Sequence, residues 1–147
     1  MASALLVRAV LASSLALAAQ VVPGPRPLEG TYWKAIELLG RPVPSQASIR
    51  EAYLLLQEGG RVYGSDGCNR VAGRYEVTKT GVRFDDMAVT RMACIDTGGL
   101  DVVFRDALKS ARQLAVAGER LELFDSANRL VAVFLAVPSR PGEPGNR

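Results

Sequence analysis

Arg74-Tyr75-Glu76-Val77-Thr78, the turn Lys79-Thr80-Gly81, and Val82-Arg83-Phe84-Asp85 form the stretch on which the fold depends. Tyr75 and Val77 fall on one face of an extended chain, with charged residues on the other. After the turn, Val82 and Phe84 oppose Arg83 and Asp85 in the same way. A period of two on both sides of a glycine-bearing turn predicts a hairpin with one buried face. Upstream, Tyr53-Leu54-Leu55-Leu56 and Arg61-Val62-Tyr63 flank Glu58-Gly59-Gly60, a second hairpin. Downstream, Arg120-Leu121-Glu122-Leu123 and the run Leu130 to Val137 flank Ser126-Ala127-Asn128-Arg129, a third. The segment Leu130 to Leu135 is apolar on both faces, which predicts a central strand covered on both sides. Trp33, Ile36 and Leu38 belong to a first strand whose alternation slips by one position, as at a β-bulge.

One helix interrupts the strands. Leu100, Val103, Phe104, Ala107, Leu108 and Ala111 recur at helical spacing as a full apolar stripe. On its solvent side Asp101 pairs with Arg105 and Asp106 with Lys109. Gly98-Gly99 sets the start, with Thr97 or Asp96 as the expected cap. The fold class is therefore α+β, mainly β: a curled antiparallel sheet or open β-barrel with one packed α-helix, on one face or closing one end.

The ends read differently. Residues 1–19 comprise a short basic segment ending at Arg8, an apolar run and Ala16-Leu17-Ala18 before the cut, the order of a secretory signal peptide. The uncharged run from Ala9 to Val22 is shorter than the roughly 20 residues a spanning helix needs. Cleavage predicts a mature chain starting at Ala19 or Gln20, periplasmic or secreted, with no integral membrane span. Residues 20–27 form a Pro-rich linker, 28–137 the single domain, and 138–147 a tail with nothing to bury. No internal repeat is visible.

The 147-residue chain has 18 Lys+Arg against 15 Asp+Glu, two cysteines and no histidine. Without histidine there is no Ser-His-Asp or Cys-His nucleophile pair and no zinc site of the histidine-containing kinds. Two cysteines are too few for an iron–sulfur cluster. A net charge of +3 with no basic stripe does not point to nucleic acid. Asp85-Asp86 cannot act as a pair on one bond, because adjacent strand residues face opposite ways; a solvated strand end is expected there. No catalytic, cofactor or metal residues are assigned. Cys68 and Cys94, an even count behind a signal peptide, predict one disulfide. Gly64-Ser65-Asp66-Gly67-Cys68-Asn69-Arg70 is dense in turn formers and predicts a tight, irregular turn between strands. No helix follows it, so a phosphate cradle is disfavoured.

These residues resemble a known family. Gly64-Ser65-Asp66-Gly67-Cys68-Asn69, then Gly73-Arg74-Tyr75, then Thr90-Arg91-Met92-Ala93-Cys94, are similar to the G-x-x-G-C-N, G-x-Y and T-x-M-A-C signature of META domains, also called DUF306 or HslJ-like. Gly30-Thr31-Tyr32-Trp33 resembles their opening G-x-x-W strand, and the stripe with Asp101, Phe104 and Leu108 their helix, although glutamate is usual where Asp101 stands. The resemblance covers residues 28–137. It implies a small barrel-like β domain of the bacterial cell envelope, tied in founding members to stress responses, with no established catalytic set. The motif positions Gly64, Gly67, Asn69, Gly73, Tyr75, Thr90 and Met92 look fold-specifying. A non-enzymatic binding or structural module follows, monomeric, with an envelope protein or small ligand as partner. The alternatives are a secreted inhibitor of a lytic enzyme, which calls for a protruding rigid loop around Asp66 to Arg70, and a hydrolase using Asp, Glu or Lys.

Overall fold

The computed structural model describes residues 24–45 and 50–138. The predicted signal peptide, residues 20–23 of the linker and all of the tail but Pro138 lie outside the described residues.

Among the described residues, nine strands and one helix follow in the order β1 Tyr32–Leu38, β2 Arg41–Pro42, β3 Ala52–Gln57, β4 Arg61–Asp66, β5 Arg70–Thr78, β6 Gly81–Val89, α1 Leu100–Ser110, β7 Gln113–Ala117, β8 Arg120–Phe124 and β9 Leu130–Val137. All the strands belong to one antiparallel sheet ordered β6-β5-β4-β3-β1-β9-β8-β7, with the short β2 paired to β1. The three predicted hairpins are β3–β4, β5–β6 and β8–β9. The slip in β1 is a register shift between Ala35 and Glu37 against β9. Strand β9 is central, and Val131 to Phe134 are buried on both faces, while Leu135 reaches solvent.

The sheet curls into an open barrel. Its first and last strands touch where each begins: the Val82 N–H donates to the Arg112 carbonyl at 2.8 Å. Alternate strands run in opposite senses, so β6 and β7 diverge from that point and form no ladder. Gly81 makes the contact possible, because a Cβ there would lie 1.9 Å from the Arg112 carbonyl oxygen.

Helix α1 closes one end, burying Leu100, Phe104, Ala107 and Leu108. Phe104 meets Phe134 of β9 edge to face, with centroids 6.3 Å apart. Each such fully buried side chain contributes about 1.5–3 kcal/mol. Residues 26–31 cross the opposite end. The Arg26 N–H reaches the Gly118 carbonyl, Gly30 N–H the Leu56 carbonyl, and the Trp33 indole N–H the Leu28 carbonyl. Arg26 also pairs with Glu119 at 2.7 Å.

Three local expectations are corrected, and one strand is added. Neither Thr97 nor Asp96 caps α1: Gly99 holds the cap position at φ 79° with no side-chain cap bond, because its left-handed backbone turns the chain into the helix directly. Asp101 does pair with Arg105, at 2.9 Å, but Asp106 and Lys109 form no ion pair. Asp85 and Asp86 are not a strand end. They sit within β6 at a bulge opposite Gly73, where Asp86 adopts φ 51°. Strand β7, with alternating half-buried Leu114 and Val116, was not anticipated from the sequence.

Candidate functional site

The signature residues gather mainly at the α1 end of the barrel. Gly64, Ser65 and Asp66 complete β4 rather than a turn, and the turn proper is Gly67 to Asn69, with Gly67 at φ 95°. Asp66 organises it. Its Oδ1 accepts the N–H groups of Cys68 at 3.1 Å and Asn69 at 2.7 Å, the local bonding that makes aspartate a turn former. Its Oδ2 is buried without a hydrogen bond, 3.6 Å from the Arg105 Nε of α1.

Asn69 then spans to the 90–99 loop. Its Oδ1 accepts the Met92 N–H at 2.8 Å and the Thr90 hydroxyl at 3.4 Å, while its Nδ2 faces Cys94 Sγ at 3.5 Å. The Thr90 hydroxyl oxygen accepts the Arg70 N–H at 3.0 Å. The Cys68–Cys94 disulfide closes the arrangement, with Cα atoms 5.8 Å apart. Only the backbone of Met92 takes part; its side chain is exposed. Residues Ser65 to Asn69 are buried, so this turn does not protrude. Among the described residues no group of three Cys, Asp or Glu side chains is placed to hold a metal ion.

Gly73 and Tyr75 stand apart from this staple. Gly73 lies under the β6 bulge, where a Cβ would meet Met87 Sδ at 2.5 Å and the Asp85 carbonyl oxygen at 2.9 Å. Tyr75 is in the core at the other end of the barrel. Its hydroxyl donates to the Glu29 carboxylate, with the Gln57 carbonyl oxygen 3.2 Å away. Burial, then the adjoining Glu29 carboxylate, raise the phenol above the ordinary tyrosine value. Beside it is a shallow groove of about 510 Å³ lined by Pro27, Leu28, Glu29, Gly60, Tyr75, Glu76 and Val77. Tyr75→Phe is expected to lower stability by about 1–2 kcal/mol in urea unfolding, because it removes the hydrogen bond from this buried hydroxyl to the Glu29 carboxylate. A midpoint equal to that of the wild type would show the pair to be idle.

A third polar centre, Asp125, holds the β8–β9 turn. Its Oδ1 accepts the N–H groups of Ala127 and Arg129, both at 2.9 Å, and its Oδ2 meets Arg129 Nε at 2.8 Å. The Arg129 backbone N–H does most to hold this carboxyl below its usual range, with the guanidinium and the Ala127 N–H adding to it against the effect of burial. A depressed folded pKa adds stability that is present above the unfolded value of about 4 and is lost as pH falls through the folded value. The stability advantage of the wild type over Asp125→Asn should therefore shrink as unfolding is measured from pH 5 downward. An advantage that grows toward acid would reverse the sign.

Sequence reasoning missed Glu29 and Asp125, and it missed Arg105 as a neighbour of Asp66. Only the Asp125 turn had a local signal, an Asp four positions before an Arg.

Comparison with known proteins gives the fold and the family. No curated protein matches. A solved structure from Burkholderia xenovorans, determined by NMR, superposes with a TM-score of 0.62 at 24% identity, covering 81% of this chain and 94% of that one. A second NMR structure gives a TM-score of 0.57 at 22% identity, covering 73% and 90%. A crystal structure of a duf4847 family protein from Bacteroides vulgatus gives 0.54 at 12% identity, covering 77% and 96%. At these identities the likeness shows the fold alone. The META domain family model matches residues 26–138, which contain the staple, the groove and every strand described above, and the chain accordingly belongs to the META domain family.

Proposed function

We propose that this chain is an exported, non-enzymatic module of the cell envelope, acting by binding a protein or ligand or by bracing the envelope under stress. The observation that carries the reading is how the signature side chains are used. Asp66 Oδ1, Asn69 and Thr90 direct their hydrogen bonds at the turn and the 90–99 loop, and the cysteines bind each other. Residues committed in this way shape a scaffold rather than turn over a substrate. The disulfide is compatible with an oxidising compartment, and no helix among the described residues is long and apolar enough to cross a membrane. The buried turn at Ser65–Asn69 offers no projecting wedge for the inhibitor alternative.

Two measurements test this. Protein from the native host should begin at Ala19 or Gln20, and material still starting at Met1 or Ala2 would overturn export. The purified mature domain should not turn over peptidoglycan, phosphoester, ester or peptide substrates. Turnover abolished by replacing one acidic residue, with folding intact, would overturn the non-enzymatic reading.

A further inference from the structure

We propose that the outer face of the sheet is a binding site for a carboxylate-bearing polysaccharide, built from Tyr63 and the guanidinium groups of Arg61, Arg70 and Arg74. The proposal rests on the binding-module reading and names its ligand class.

The side-chain alternation sets the placement. Val62, Val71 and Tyr75 are in the core, so Arg61 and Tyr63 of β4 and Arg70, Ala72 and Arg74 of β5 face outward. Cross-strand register then brings them together. Tyr53, Ser65 and Arg70 form one row, Leu55, Tyr63, Ala72 and Ala88 the next, and Arg61 faces Arg74 in a third. The middle row continues through Tyr32 to Val137, an apolar line across six adjacent strands. At the usual strand separation it is about 24 Å long.

This line is a second apolar layer outside the barrel core. Tyr32 is 4% exposed and Leu55 6%, although neither belongs to the core cluster. Tyr53 stacks on Tyr32 with ring centroids 4.4 Å apart. Beyond them the row continues through the half-buried Tyr63 to the small side chains of Ala72 and Ala88.

The charges define the ligand's sign. Arg61 and Arg74 are exposed and stand directly opposite each other, an arrangement that destabilises a sheet unless an anion lies between the two. Among the described residues none of the three guanidinium groups meets a carboxylate. Asp85, opposite Arg74 in register, is taken by Arg83 at 3.3 Å. Arginine binds carboxylates through paired hydrogen bonds.

Spacing and chemistry point to a sugar polymer. Arg70 and Arg74 lie about 13 Å apart along β5, with the small Ala72 between them, which suits repeated carboxylates rather than one small anion. Tyrosine faces accept the apolar face of a sugar ring as they accept other apolar surfaces. A peptide docking by strand addition needs an open edge. Here β3, β4 and β5 are each paired on both sides, so this face offers side chains only.

Calorimetric titration of the mature domain with polygalacturonate tests the site, with dextran, poly-glutamate and a single-stranded oligonucleotide as comparators. Polygalacturonate should bind, dextran should not, and the other two polyanions should bind much more weakly. Arg61→Gln and Arg74→Gln should each weaken binding about tenfold, as expected for loss of one charged hydrogen-bonding partner. Because each removes a like-charge opposition, their melting temperatures should hold or rise. Tyr63→Ala should weaken binding, and Tyr63→Phe should restore it. The proposal is overturned if polygalacturonate does not bind, if either other polyanion binds as well, or if affinity ignores these substitutions. N-terminal mapping and the turnover panel are read independently, so failure here is distinguishable from failure of the exported, non-enzymatic reading.

Discussion

Gly64→Ala is expected to destabilise the domain by about 3 kcal/mol or more, at or beyond the upper end of what overpacking usually costs. A Cβ at position 64 would lie 2.1 Å from the Tyr53 carbonyl oxygen and 3.3 Å from the Leu54 Cα, both backbone atoms of β3. No side-chain rotation relieves that contact, so β3 and β4 must separate at the Leu54–Gly64 pairing. Separation would reach the core directly, since Leu54 and Val62 are fully buried on either side. Gly64 lacks the positive φ of Gly67, so the need is for room and not for left-handed backbone. Thermal melting should show a large loss or an insoluble product. Gly24→Ala, with nothing within 4 Å of the added carbon, should be silent. A Gly64→Ala protein melting like the wild type would refute the close-approach account.

Removing the Cys68–Cys94 bridge is the second large effect. It joins residues 26 positions apart. The chain-entropy relation for a loop of that length gives about 3.5 kcal/mol. For a domain of this size that corresponds to a drop of roughly 10–20 °C in melting temperature. Cys94→Ser should show this loss, as should the wild type under reductant. Far-UV circular dichroism should change little, because the β4–β5 and β5–β6 ladders do not pass through the bridge. The effect should centre on the 90–99 loop, whose middle would then be held to the β4–β5 turn through the Asn69 and Thr90 hydrogen bonds. Full maleimide labelling of both cysteines in unfolded, unreduced protein would instead show that no bridge forms.

The two predictions illustrate different degrees of legibility. The disulfide could be argued from cysteine count and an exported context, and its closing position from the strands around it. Gly64 could be singled out by its motif, but the reason proposed for it, turn formation, was not the operative one. Its neighbour is a carbonyl eleven positions back, and only the hairpin register brings that oxygen to it. Asp66 is similar. Its place in a turn-rich stretch was evident, whereas its approach to Arg105 required α1 to fold back over the end of β4. The Arg61, Arg70 and Arg74 cluster is the clearest case. A modest net charge and scattered basic residues carry no sign of a patch until two strand registers align them.

By itself the sequence determined the α+β class, the three hairpins, the helix, the bulge in β1 and the family resemblance. All of these rest on local periodicity or on short motifs, where side-chain spacing along the chain equals side-chain spacing in space. Tertiary structure alone decided the strand order, the meeting of β6 and β7 at Gly81, the Glu29–Tyr75 bond and the outer tyrosine–arginine face. Each of these joins residues distant in the chain, and their meeting is set by register and by closure of the curled sheet, which no single segment encodes.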